Sequence, residues 1–342
     1  MRGAASSKRF SMASERALLV AAGGGIGDTL LAGVVARALR TRYEAVDAVV
    51  LPAHADLAAH VPSIERAIPF GARLTERYAA AVVTWATLGT ALLPWRARIP
   101  IRAGQARRLY SALFTHRVVV RSELGDHATH WTQILLDYAR AIGCDADDSS
   151  PEFAVRDDER QTARALLRVH DVRDSFYVLH PTRGLSAQRS RWPVEGFVAL
   201  AKRLVARDGV PLLVTGSPDD AGIAHAIADR AGAGVTSVAG ATSIGVFGAL
   251  AERARAVVAM DSGPMHVAAA TGVPTVGIFA LQSDEPDRWA PRGPRVALVR
   301  PTYPCPPAHR KETCPDFACV RALDEGAVLN ALDGLLVATA ER

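Results

Sequence analysis

Residues 23–33, GGGIGDTLLAG, follow the apolar run ALLVAA and place Asp28 where a dinucleotide-binding loop carries its third glycine. No Walker lysine follows either, so neither standard phosphate cradle is present here. What remains is a tight strand-to-helix turn with a carboxylate near the first helical turn. Two readings fit. Asp28 can be an N-cap or dipole partner, worth about 1 kcal/mol. It can also be a carboxylate base facing a cleft, on backbone that Gly25 and Gly27 let a substrate approach closely.

A second constellation is AVVAMDSGPMHVAAATGVPTVGIF, residues 256–279. A buried strand ends at Asp261, and Ser262, Gly263 and Pro264 open a helix with His266 in its first turn. Free amides at the positive helix end make a ready anion site. Gly263 lets backbone approach a diphosphate, His266 can donate to a phosphate oxygen, and Asp261 suits sugar hydroxyls. An ordinary capped helix with a solvent-facing histidine is the alternative. In residues 179–197, LHPTRGLSAQRSRWPVEGF, the loop after His180 carries Thr182, Arg183, Arg189 and Arg191. Arginines in such a loop can clamp a phosphate, or simply form a solvated basic loop. VTGSPDD repeats the theme with Gly216, then Asp219 and Asp220 at a helix start. Acids there answer the helix dipole, although Asp220 could accept from an adenine or ribose. Thr242, just before the next helix, joins the expected donor contacts.

A chain of 342 residues holds two domains of ordinary size. With 49% hydrophobic and 22% charged residues it is globular, and no apolar run approaches the ~20 residues that span a bilayer. The first fifteen residues lack an apolar core, so a frayed leader and a cytoplasmic location are expected. The net charge is +5, carried almost wholly by arginine, since only Lys8, Lys202 and Lys311 are lysines. That suits an anionic partner, but no basic block interleaved with aromatics points to nucleic acid. Cys144 reads as a small buried hydrophobe. Cys305, Cys314 and Cys319 form C-x8-C-x4-C, which fits no standard zinc spacing and reads as a structural loop, a metal or redox pair being the alternative. The D-x-D at Asp145-Ala146-Asp147 follows no buried strand, so it is not expected to be a nucleotide–metal site.

The elements that position these residues alternate between apolar β-branched runs and amphipathic helices. In the first half RALLVAA, DAVVLP, AAAVVTW and RVVV read as strands. In the second, FYVLHP, VPLLVTG, VTSVAG, AVVAMD and PTVGIF do. This pattern indicates parallel sheets covered on both faces, with ligands at the carboxyl ends of strands. The composition shift at 144–160 marks the boundary: a leader over 1–16, α/β domains over 17–150 and 151–320, and a closing helix over 321–342. No internal repeat is visible.

Taken together, GDTLLAGVVARALR, LHPTRG…RWPVEGFVALAKRL, VTGSPDD and DSGPMHVAAATGVPTVGIF resemble glycosyltransferase family 9, the bacterial heptosyltransferases, in order and spacing. RIPIRAG, HATHWTQILLDYARAIG and CPPAHRKETCPDFACV agree. The resemblance covers roughly residues 17–335. It implies a GT-B fold: two Rossmann-like domains facing across a cleft, the acceptor held by the first and ADP-heptose by the second. It implies inverting transfer to an anionic lipopolysaccharide inner-core or related glycan acceptor, with no metal or other cofactor. Peripheral attachment at the inner face of the bacterial inner membrane is left open. Asp28 matches the family's base. Thr182, Ser262, Gly263 and His266 match diphosphate contacts, Asp261 a heptose contact, and Asp220 a carboxylate near the nucleoside. Arg102 is expected to meet the acceptor. The basic residue before Trp-Pro is often lysine in the family; here Arg191 or Arg189 stands in. Pro307 and Ala308 occupy the region of an extra tail cysteine. Alternatives are a GT-B-like nucleotide-sugar epimerase, a non-catalytic sugar-nucleotide binder, or a transferase acting on a protein or small metabolite.

Overall fold

The computed structural model describes residues 15–173, 175–182, 191–282, 285–306 and 314–340. The first half contributes β1 (Arg16–Ala21), β2 (Ala45–Val50), β3 (Arg66–Pro69), β4 (Ala80–Val83), β5 (Ile101–Gln105) and β6 (His116–Val118). The second contributes β7 (Tyr177–His180), β8 (Leu212–Val214), β9 (Val235–Ser237), β10 (Ala256–Met260), β11 (Thr275–Ile278) and β12 (Val296–Val299). Helices α1 (Ile26–Arg40), α2 (Ala55–Ala58), α3 (Leu88–Arg96) and α4 (Trp131–Arg140) accompany the first sheet. The second has α5 (Asp157–Val169), α6 (Val194–Asp208), α7 (Ala221–Ala231), α8 (Ile244–Arg253), α9 (Gly263–Ala270), α10 (Pro286–Trp289), α11 (Ala318–Arg321) and α12 (Glu325–Ala340).

Both sheets are parallel, with strand orders β3-β2-β1-β4-β5-β6 and β12-β11-β10-β7-β8-β9. Counted from its own first strand, each sheet has the order 3-2-1-4-5-6 of a dinucleotide-type fold. The repeat missing from the sequence is therefore present in the topology. The reversal falls between β1 and β4 in one sheet and between β7 and β10 in the other.

Period-two side-chain alternation splits β1 between two layers. Ala17, Leu19 and Ala21 join a core under α1 and α4. Leu18, Val20 and Ala22 pack the opposite face with Phe114 and Ile99. The first core continues into the second unit through Val178, Leu213, Val257 and Ala259, so the two units share buried surface. The far face of the second sheet packs Trp192, Phe197 and Leu204 against Val328 and Leu332 of α12. The closing helix therefore belongs to the second unit.

Three strands escaped the sequence reading. β3 (RAIP) and β12 (VALV) are short edge strands, β12 apolar but only partly buried, and β5 carries Arg102 and Gln105 among partly exposed positions. The polar stretch at the boundary also hides the start of α5, whose Asp157, Asp158 and Glu159 fill the first helical turn.

Candidate active site

A cavity of about 790 Å³ opens between the carboxyl ends of the two sheets, lined from both units. Gly25, Gly27, Asp28 and His54 come from the first unit; Thr182, Gly216, Asp220, Thr242, Asp261, Ser262, Gly263 and His266 come from the second.

Asp28 both caps its helix and lines the cavity. Its Oδ2 accepts from the Gly25 amide at 2.8 Å, closing the first turn of α1. It also lines the cavity, where burial pushes its carboxyl above the usual range despite the Gly25 hydrogen bond and the nearby His54. A carboxylate short of water is a stronger base than an exposed one. Gly24 makes this possible: its φ is +70°, and a β-carbon there would lie 2.4 Å from Asp28 Oδ2. His54 follows β2 and shares a 2.8 Å hydrogen bond with Thr29 through Nδ1.

On the facing wall, α9 begins with its polar side chains unspent. Ser262 is the N-cap, yet its hydroxyl makes no cap bond, and its Oγ is buried without a partner. His266 is 4% exposed, and its Nδ1 is likewise buried and unpartnered. Burial holds the His266 imidazole neutral, with its pKa lowered to about 4, so the solvent-facing alternative does not apply. Buried polar groups without partners are costly, and here they sit beside the free amides of a helix end.

Deeper in the cleft a hydrogen-bonded chain links β7, β8 and the loop after β8. Thr182 donates to Asp220 Oδ2 at 3.2 Å, so its oxygen accepts from His180 Nε2, also at 3.2 Å. His180 Nδ1 in turn shares a 3.1 Å hydrogen bond with the Thr215 hydroxyl, which also reaches the Leu179 carbonyl. Burial keeps this imidazole neutral, its pKa lowered to about 4. Asp220 also receives the Ser217 amide and hydroxyl, at 3.1 and 2.6 Å, which fixes it at the cavity wall.

Gly27 and Gly263 line the cavity and also join the two units. A β-carbon on Gly263 would lie 2.5 Å from Ile26 Cβ and 3.1 Å from the Gly27 amide nitrogen; one on Gly27 would lie 3.1 Å from His266 Cδ2. Both glycines let α1 and α9 abut across the seam between the units. A second strut joins the same units: His130 Nε2 donates to the Ala290 carbonyl at 2.8 Å, and Trp131 packs on Trp289 at 5.0 Å.

Arg102, expected to meet the acceptor, does not line this cavity. Its guanidinium donates to the Leu113 carbonyl at 2.8 Å and to that of Ile99, which spends it on holding β5 rather than on the cavity. Arg183 and Arg189 lie outside the described residues. Arg191 does not line the cavity; burial lowers its pKa, and the opposing influence of Asp220 places it near that carboxylate. His54, His180, Thr215 and Ser217 were not expected in the site. Their position at or just after the carboxyl ends of strands was the available signal.

Among the described residues, Asp56, His60 and Glu159 form the one group with metal-ligand spacing. Arg156 bridges its two carboxylates at 2.9 and 2.6 Å and supplies the opposing charge itself. In the tail, Cys314 accepts from the Phe317 amide at 3.3 Å, as suits a folded loop.

Two Rossmann-like units with a nucleotide-sized cleft at facing reversal points define the GT-B class of α/β enzymes. Within it, this chain belongs to glycosyltransferase family 9 (heptosyltransferase), whose model matches residues 69–316. Lipopolysaccharide heptosyltransferase 2 of Escherichia coli (strain K12) is 27% identical over 302 residues, covering 80% of this chain and 85% of its own. The family 9 glycosyltransferase of Veillonella parvula DSM 2008 superposes with a TM-score of 0.82 at 17% identity, covering 95% and 98% of the two chains. Heptosyltransferase WaaC of E. coli, solved with ADP-2-deoxy-2-fluoro heptose, gives 0.67 at 18% identity, covering 94% and 99%. The protein is a glycosyltransferase.

Proposed function

We propose that this enzyme transfers heptose from ADP-heptose to a lipopolysaccharide inner-core or related glycan acceptor, inverting the anomeric centre without a metal ion, on the cytoplasmic side. One observation carries the reading: Asp28 and the amino end of α9 line a single cavity from opposite units. The name of the E. coli relative supports the heptosyl acceptor class, and the ligand of WaaC supports the donor. In this reading an acceptor hydroxyl attacks the anomeric carbon and Asp28 takes its proton. The bond to the diphosphate breaks, and ADP departs toward Ser262, His266 and the free amides of α9. Thr182, Asp220 and Thr242 hold the nucleotide, and Asp261 the sugar. Gly25 leaves room for the acceptor. The helix end and these donors meet the leaving charge in place of a metal.

The test incubates the protein with ADP-heptose and an inner-core acceptor lacking that heptose, with and without EDTA. The expected result is an acceptor heavier by one heptose, with inverted linkage and equal yield in EDTA. An isomerised sugar formed without acceptor marks an epimerase instead. Donor binding with neither product marks a non-catalytic binder.

A further inference from the structure

Residues 67–122 carry nine arginines and a single acid, Glu76. The same stretch holds Phe70, Trp85, Leu88, Trp95 and Leu109, five of the ten large apolar side chains exposed among the described residues. These two excesses coincide on one surface. Leu88 and Trp95, 58% and 50% exposed, stand seven residues apart on α3 and so share a face. The helical turn Leu109–Leu113 packs against α3 and presents Leu109 fully exposed. Phe70 reaches the start of α3, within 3.5 Å of where a Gly89 β-carbon would lie. Two of the apolar tips are flanked by exposed cations: Arg96 and Arg98 follow Trp95, and Arg107 precedes Leu109, while the adjoining Arg108 pairs with Glu123 at 2.8 Å.

Trp85 extends the surface to the site. Its indole occupies the space over Gly23, in the loop that carries Asp28. The apolar tips therefore lead from the outside of the first unit to the acceptor side of the cleft.

We propose that this face docks the enzyme on an anionic lipid bilayer, with Leu88, Trp95 and Leu109 inserted at the interface and the arginines on lipid phosphates. The chemistry selects that occupant. Tryptophan and leucine tips ringed by arginine match the depth profile of a bilayer surface, apolar beneath and anionic above. A protein partner would need acids to answer the arginines, and a second copy of this face would set like charges against each other. The proposal rests on the reading of a lipid-borne acceptor and assigns the surface that meets its membrane.

The experiment is flotation of the full chain with vesicles of phosphatidylglycerol and phosphatidylethanolamine, beside vesicles of phosphatidylcholine alone. The anionic vesicles are expected to carry the protein and the neutral ones to leave it behind. Binding should weaken steeply with salt, and roughly fivefold for each arginine removed. Leu88→Ser with Trp95→Ser and Leu109→Ser should abolish flotation, as should Arg96→Glu with Arg98→Glu. Both variants should retain wild-type melting and ADP-induced stabilisation, which shows that they fold. Equal flotation of wild type and variants overturns the proposal, as does failure of the wild type to bind anionic vesicles at low salt. A dimer in solution that the apolar variants disrupt overturns it too. A wild type that leaves the anionic vesicles behind yet transfers heptose to a soluble core oligosaccharide sinks the docking surface alone. Docking without transfer to any acceptor sinks the functional reading alone.

Discussion

Gly263 of the second unit lies against Ile26 of the first so closely that a β-carbon on the glycine would sit 2.5 Å from that of the isoleucine. Real β-carbons do not approach so near, so an added methyl must part the two helix ends. Gly263→Ala is expected to cost about 1–3 kcal/mol by overpacking and to lower turnover by widening the cleft. Ile26→Ala on that background removes the Cγ2 contact at 2.6 Å but keeps the Cβ contact, and should restore part of both. Thermal melting and steady-state kinetics of the single and double variants check this; wild-type turnover in Gly263→Ala would refute it.

Ser262 offers a different signature. Its buried hydroxyl has no partner in the free protein, so removing it forfeits no hydrogen bond. Ser262→Ala should melt no lower than wild type while binding ADP about 10- to 100-fold more weakly, the value of a hydrogen bond to a charged group. Calorimetric titration with ADP beside a melting curve separates the two effects. A lower melting temperature with unchanged affinity would assign the serine to the fold.

Asp28 separates cap from base. Asp28→Asn keeps an oxygen for the Gly25 amide, whereas Asp28→Ala loses the cap, at about 1 kcal/mol. The raised carboxyl pKa means the folded state holds that proton more tightly than the unfolded one. Ionised Asp28 therefore detracts from stability at neutral pH, and Asp28→Asn should melt at or above wild type there. Its turnover should still fall at least ~100-fold, the lower bound of general-base help. In the wild type, activity should fall as pH drops through the raised Asp28 value. Near-normal turnover in Asp28→Asn would return the residue to a structural role.

The buried histidines set an acid limit. His130, His180 and His266 each have a pKa lowered to about 4 by burial, against 6.5 unfolded. The unfolded chain binds protons first as pH falls, so the stability these groups contribute is complete above about 6.5 and lost on the way to 4. Urea unfolding at stepped pH should show a slope approaching three protons in that window. His130→Gln should lower the slope by about one proton. A flat profile between pH 6.5 and 4 would contradict the burial of all three.

What the sequence revealed follows burial and strand ends. The central strands were legible because apolar side chains on both faces leave a continuous run, as in ALLVA or AVVAM. β12 has an apolar run of only four residues, VALV, and in the edge strand β3 Arg66 pairs with the buried Asp47 instead of extending an apolar run. Asp28, Asp261 and His266 could be named because strand-to-helix turns expose them in order along the chain. His54 and His180 could not, since a histidine beside a strand end carries no pattern until a Thr29 or Thr215 faces it. Two glycines carry a second demand beside the cavity they line. Spacing shows that backbone must be approached closely at Gly27 and Gly263, but it does not show by what. Here the partner is the opposite domain.

The abutting ends of α1 and α9 have a kinetic consequence. Both helices aim their positive termini into one cleft, a field that strengthens with the charge placed in it. A nucleotide diphosphate freed of its sugar carries an additional negative charge compared with the intact donor. In the proposed reaction the cleft that eases bond breaking would therefore hold the spent nucleotide harder than the fresh one. Product inhibition by free ADP, competitive with donor, is the expected signature of that reading in steady-state kinetics.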